Sequence, residues 1–325
     1  MPIPAAQSPA PDHVLLLLLD GVGLPQSQSL QDSIYADFPG LVHLFSAHTV
    51  PLDACLGVPG IPQSATGQTA ILTGINAPAR VGSHVQGFPT APLRRLAATA
   101  NIFSRLAARG IASTFANAYV RFPGPSLPLK LRSVTTVATL AAFGRTRDRN
   151  AMLRGEAVYH DLTRRTLRER GFADVPEITE EEAARDLWRV ARQVRFCLFE
   201  FFLTDRTAHR GPLEEQRAVL HSLDIFLTAL AARLRPDREL LLVVSDHGNI
   251  EDPTRRTHTF NPVPWIAVGK GAAAAQSACR DLTQVTPHIV SLLAGATTAG
   301  NPRSFTDPSF VRPERKPGAR IPARR

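Results

Sequence analysis

Apolar residues in this chain come in short unbroken runs. The run from Val14 through Leu19 contains no polar position. A strand with one wet face would alternate, so this pattern predicts a strand over 14–19 that is covered on both sides. Comparable runs predict strands over 112–118, 196–203, 240–245 and 265–268. Between them lie helical stretches: 101–109 closed by Gly110, 180–194 with Thr179 as N-cap and an acidic first turn, and 212–234 with Pro212 at its first position. A last helix is expected over 282–293, ahead of Gly295, and a turn at Gln63 leads into a helix reaching residue 72. Strands alternating with helices predict an α/β fold with a mostly parallel sheet.

Residues 122–180 break this rhythm. They open with Phe122-Pro123-Gly124-Pro125, hold few long apolar runs and are rich in arginine. They are read as a small inserted cap, with Asp161 and Arg164 on one of its surface helices. The expected organisation is a core in two parts, 1–121 and 181–301, separated by the 122–180 cap and followed by a basic, Pro-rich, disordered tail over 302–325.

Composition refines the picture. Apolar residues make up 44 % of the 325 positions but aromatics only 6 %, so the core must be mainly aliphatic. The net charge of +9 raises the question of nucleic acid, but more than half of it, +5, sits in the Pro-rich 302–325 tail. No nucleic-acid partner is therefore expected. Cys55, Cys197 and Cys279 are few, distant and odd in number, which fits a reducing cytoplasm rather than a disulfide framework. The run over 14–19 is too short for a signal peptide or a membrane span, so no membrane partner is expected.

The chemistry lies where apolar runs end. Leu19 leads into Asp20, Thr204 into Asp205 and Ser245 into Asp246. Ligands of open α/β sheets bind outside the carboxyl ends of the strands, so three strands would deliver carboxylates to one rim. Such clustered charge calls for cations. Asp205 and His209 are four residues apart, one helical turn, and His247 and His258 follow Asp246. Three carboxylates and three imidazoles without a thiolate fit zinc, manganese or iron, and six ligands suit two ions better than one. Ser64, at the start of a helix, is the candidate nucleophile, because free amides there favour an anion. Thr66 is its rival. Arg80, His84, Arg255 and Arg256 flank these segments and are candidate grips for a substrate phosphate, with Asn117 and Arg121 as weaker ones.

Asp20, the segment around Ser64, Asp205-x-x-x-His209, Asp246-His247-Gly248-Asn249 and His258 together resemble the alkaline phosphatase superfamily, in the branch of cofactor-independent phosphoglycerate mutase and phosphopentomutase. The resemblance covers about 1–120 and 190–295. It implies a three-layer α/β sandwich with two divalent ions, manganese or zinc. Asp20, Ser64, Asp246 and His247 would hold one ion, and Asp205, His209 and His258 the other. It also implies Ser64 as the nucleophile that becomes phosphoserine, and a small phosphorylated substrate. The short insertion, with no arginines that map onto the mutase's substrate grip, leads to the expectation of a phosphatase or phosphodiesterase. An intramolecular phosphomutase is the alternative within the enzymes, and a non-catalytic metal-binding scaffold the alternative outside them.

Overall fold

The computed structural model describes residues 10–26 and 29–295. The tail expected over 302–325 lies outside them. Six strands form one sheet: β1 (His13–Leu19), β2 (Thr49–Leu52), β3 (Ser113–Phe115), β4 (Phe196–Phe201), β5 (Glu239–Ser245) and β6 (Val263–Gly269), in the order β2-β6-β5-β1-β4-β3. β1 sits at the centre, parallel to β5 on one side and β4 on the other.

The unbroken apolar run of β1 serves two cores. Val14, Leu16 and Leu18 face one side, against the helices Ser64–Thr73, Ile102–Ala107, Val134–Phe143 and Val285–Ala294. Leu15, Leu17 and Leu19 face the other, against Pro39–His48, Glu180–Ala191 and Leu213–Arg233. Every residue from Val14 to Leu19 is fully buried. Period-two alternation thus splits one run between two helical layers, giving the three-layer α/β/α sandwich.

The sheet is mixed. β1–β4, β1–β5 and β3–β4 pair in parallel, whereas β5–β6 and β2–β6 are antiparallel. The reason is the connection after β5. It carries site residues in a loop without a crossover helix, and a chain returning directly can only pair antiparallel. The helix Glu180–Ala191 starts in a full capping box between Thr179 and Glu182. Pro212 caps the next helix from one position before it rather than opening it.

The segment after residue 121 has two parts. The helix Val134–Phe143 gives Val134, Val137 and Ala138 to the main core. Further on, Met152, Ala157, Tyr159, Leu167 and Val175 cluster with Ala118 in a small core of their own. The expectation that Asp161 and Arg164 lie on a surface helix is wrong, since both are buried. Asp161 accepts from the Arg164 and Thr166 amides, and Arg164 reaches the Met152 carbonyl, so the pair ties a tight turn together. Among the described residues no helix is long and apolar enough to cross a membrane.

Candidate metal centre and active site

Parallel register decides where the carboxylates meet. Leu19 lies opposite both Ser245 and Phe201, so Asp20 and Asp246 leave adjacent strands side by side. Asp205 arrives differently from expected. β4 ends at Phe201, and Asp205 stands in the first turn of the next helix, Leu203–Arg210. That placement puts His209 one turn away, with Nε2 3.3 Å from Asp205 Oδ1. Gly21 makes the approach possible: its φ is +74°, and a Cβ there would lie 2.8 Å from the Asp205 Cβ.

Ser64 is the first residue of the helix Ser64–Thr73. Its Oγ is 3.0 Å from His247 Nε2 and 3.5 Å from Asp20 Oδ1. One turn on, Gln68 donates to the other Asp20 oxygen at 3.3 Å. The helix can lie this close to β5 because of Gly67, where a Cβ would come within 2.6 Å of the Asp246 carbonyl oxygen. Thr66 is turned away. Fully buried, it donates to the Gln63 carbonyl and accepts from the Val85 amide.

The imidazoles are oriented by backbone carbonyls. His209 Nδ1 is 2.7 Å from the Arg256 oxygen, and His258 Nδ1 is 2.9 Å from the Pro62 oxygen. A carbonyl only accepts, so each Nδ1 carries the proton and each Nε2 of the neutral ring presents a lone pair. These two Nε2 atoms face each other at 2.9 Å. His258 Nε2 is also 3.2 Å from Asp205 Oδ1, and the His258 ring stacks on His247 at 3.6 Å.

Such a donor set fits divalent cations. Two lone pairs directed at each other beside a carboxylate repel unless a positive charge lies between them. Asp246 adds a second sign: it is fully buried, and its Oδ2 has no hydrogen-bond partner. Two groups of ligand atoms lie within 4.8 Å of one another, Asp205–His209–His258 and Asp20–Asp205–His247. Asp205 therefore stands in both groups rather than in one.

Electrostatics point the same way. Burial pushes the Asp20 carboxyl above its ordinary value and Asp246 well above it. Burial also acts on Asp205, but the neighbouring His209 and His258 rings, the charge on His247 and the Asn249 amide outweigh it and hold that group low. Burial disfavours charge on His247 as well, yet Asp246 and Asp20 raise it to about 10. Clustered carboxylates thus retain a proton that a divalent ion would displace.

Two supporting residues carry no obvious sequence signal beyond their nearness to the Asp246-His247 pair. Asn249 donates to Asp205 Oδ1 at 2.7 Å and so links the two halves of the site. The Glu251 carboxylate is buried. It accepts from the Gly23 amide at 2.9 Å, the Asn249 amide at 2.7 Å, Asn261 Nδ2 at 3.0 Å and the Thr259 hydroxyl. It binds the loop after β1 to the loop after β5.

A cavity of about 560 Å³ opens beside Ser64, with Asp20, Gln68, Asn117, Glu200 and Asp205 among its lining residues. Its arginines are Arg121, Arg170 and Arg206. None of Arg80, His84, Arg255 and Arg256 lines it. Arg80 is exposed, and His84 turns toward the Val58 carbonyl at 3.3 Å. Arg255 pairs with Asp252, while Arg256 donates to the Gly211 carbonyl and supports His209 from behind through its own. Of the two weaker candidates, Asn117 clamps the β4 backbone through both the amide and the carbonyl of Glu200.

Solved structures share this architecture. Thermus thermophilus alkaline phosphatase aligns with a TM-score of 0.53 and 11 % identity, covering 91 % of this chain and 96 % of that one. The alkaline phosphatase of the Antarctic bacterium TAB5 aligns with a TM-score of 0.51 and 15 % identity, covering 88 % and 98 %. At such identity the likeness concerns the fold. The 2,3-bisphosphoglycerate-independent phosphoglycerate mutase of Dinoroseobacter shibae is 33 % identical over 128 residues, 36 % of this chain and 25 % of the mutase. That of Rhodopseudomonas palustris is 30 % identical over 110 residues, 32 % and 22 %. The matches thus span about a quarter of the mutases' own length. The sequence profile of the Metalloenzyme superfamily covers far more, residues 12–295, and the chain belongs to that superfamily.

Proposed function

We propose that this protein is a metal-dependent phosphoryl hydrolase that uses Ser64 as its nucleophile. The observation that carries the reading is the position of Ser64 Oγ, at a helix start, 3.0 Å from His247 Nε2 and on the wall of the cavity. Asp20, Asp246 and His247, with Ser64, would hold one divalent ion, and Asp205, His209 and His258 the other, with Asp205 also near the first. Zinc or manganese suits the mixed oxygen and nitrogen donors. Bound there, the ions supply positive charge against the charge gathering on phosphate and lower the pKa of the Ser64 hydroxyl.

The chain's own residues do the rest. The free amides of the first turn of Ser64–Thr73 receive phosphate oxygens. Ser64 releases its hydroxyl proton to water and Oγ bonds to phosphorus in line, the ester P–O bond breaks, and the alcohol leaves with a proton from solvent. Water then cleaves the phosphoserine to free phosphate. Phe88 and Phe122 line the cavity and are 50 % and 53 % exposed, so its mouth opens to solvent. Ready access of water favours hydrolysis over return of the phosphoryl group to the substrate. The segment 122–180 acts as the cap in this reading, since Phe122, Leu131, Tyr159, His160 and Arg170 all line the cavity.

The test is a screen of metal-reconstituted protein against phosphomonoesters, phosphodiesters and sugar-phosphate isomers, with free phosphate and isomerised product both measured. Phosphate release supports the proposal. Isomerised sugar phosphate without phosphate release would replace it with the phosphomutase alternative.

A further inference from the structure

The cavity beside Ser64 is lined by two chemically different sets of side chains. Asp20, Asp205 and Glu200 are the only carboxylates among its lining residues. Rings and aliphatic chains supply much of the remaining lining, including Tyr159, Phe202 and Leu127, alongside Gln68, Asn117, Ser133 and Thr136. His160 belongs to this wall. Its ring stacks on Phe202 with centroids 4.7 Å apart and an interplanar angle of 25°. Burial and the nearby Arg170 and Arg206 hold His160 down to about 3, so it presents a neutral aromatic face at neutral pH.

The mouth continues the pattern. Large apolar side chains are exposed at seven described positions, and three of them, Phe88, Phe122 and Leu131, line this one cavity. Exposing such groups around one opening is costly unless something apolar covers them in use. A short polyhydroxylated alcohol would leave these rings wet. A planar ring would cover them by stacking.

We propose that the substrates are phosphate monoesters whose alcohol carries an aromatic ring, with the ring held between the Phe88–Phe122 mouth and the Phe202–His160 wall. This inference rests on the proposed hydrolase reading for its chemistry but not for its binding preference. Phosphate sits at Ser64, and the ring extends along the apolar wall. Arg121, Arg170 and Arg206 add positive charge around the cavity, which favours a neutral or anionic ring over a cationic one.

The test compares esters of similar leaving-group chemistry, so that binding rather than bond strength is read. Initial rates of the metal-loaded full chain on 2-phenylethyl phosphate, ethyl phosphate and glycerol 1-phosphate give three kcat/KM values. The phenylethyl ester should exceed both others by roughly tenfold or more. Phe122→Ala and Phe88→Ala should each lower kcat/KM for the phenylethyl ester several-fold more than for the ethyl ester. A wild-type ratio near one, or equal losses on both esters, would overturn the proposal. Calorimetry with benzylphosphonate and methylphosphonate separates the two readings. If no ester is hydrolysed, the hydrolase reading fails. Tighter binding of benzylphosphonate would then still support the aromatic site, and equal binding would end it.

Discussion

The Nε2 atoms of His209 and His258 face each other at 2.9 Å, with each ring's Nδ1 committed to a backbone carbonyl. His258 cannot turn to relieve the repulsion without leaving the buried Pro62 carbonyl unpaired, whereas the His209–Arg256 bond lies at the exposed edge of the site. Their shared position is therefore prepared for a cation. Metal analysis of reconstituted wild-type protein should find two ions per chain, and His209→Ala should lose one of them. Metal should also raise the unfolding temperature, since an ion at a hundred times its dissociation constant stabilises by about 2.7 kcal/mol. A reconstituted wild type that holds no transition metal and melts identically with and without chelator would refute this.

Ser64 and Thr66 are two residues apart but have opposite surroundings. Ser64 faces Asp20 and His247, while Thr66 is buried between Gln63 and Val85. Ser64→Ala should nearly abolish turnover, a loss on the order of 4–8 kcal/mol in barrier, with the fold intact. Thr66→Ala should instead lower stability by about 1–2 kcal/mol and change activity far less. Mass spectrometry of acid-quenched enzyme should find the phosphate on the Ser64 peptide. Phosphate on Thr66, or a fully active Ser64→Ala, would contradict the assignment.

Glu251 tests whether the loops hold the ligands in place. Its carboxylate gathers four donors from three segments. Glu251→Ala should leave several of them buried and unpaired, each worth about 1–3 kcal/mol. It should also weaken metal binding by roughly 10–100-fold through Asn249, which supports Asp205. Chemical denaturation together with metal titration measures both. Lost stability with unchanged metal affinity would limit Glu251 to a structural role.

Glu200 gives a pH signature in the metal-free protein. Burial raises its carboxyl from 4.5 to about 7, partly offset by the Thr135 hydroxyl bonded to it at 2.6 Å. The folded chain therefore holds a proton between those values that the unfolded chain has released. Its contribution is most favourable below pH 4.5 and is lost as pH rises toward 7, an upper bound of about 3 kcal/mol. Glu200→Gln should flatten the stability profile in this window relative to wild type, as followed by urea unfolding in chelator. Parallel profiles for the two proteins would show that Glu200 is ionised in the fold.

Much of this architecture is already written in local pattern. The unbroken apolar run at 14–19 required two covering layers, and β1 supplies alternate residues to two cores. The four-residue spacing of Asp205 and His209 required only one turn of helix to bring them together. These features follow from chain periodicity, which acts over a few residues. Tertiary structure alone decided the rest. β6 runs antiparallel because the loop after β5 turns straight back, a choice that no strand's own composition contains. Asp205 lies in both groups of ligands because β4 ends four residues before it and a helix carries it across the rim. The cavity wall joins Phe88, Phe122, His160 and Phe202, residues so far apart in the chain that only packing makes them neighbours. Whether such a ring is core or binding surface depends on what the folded chain places beside it.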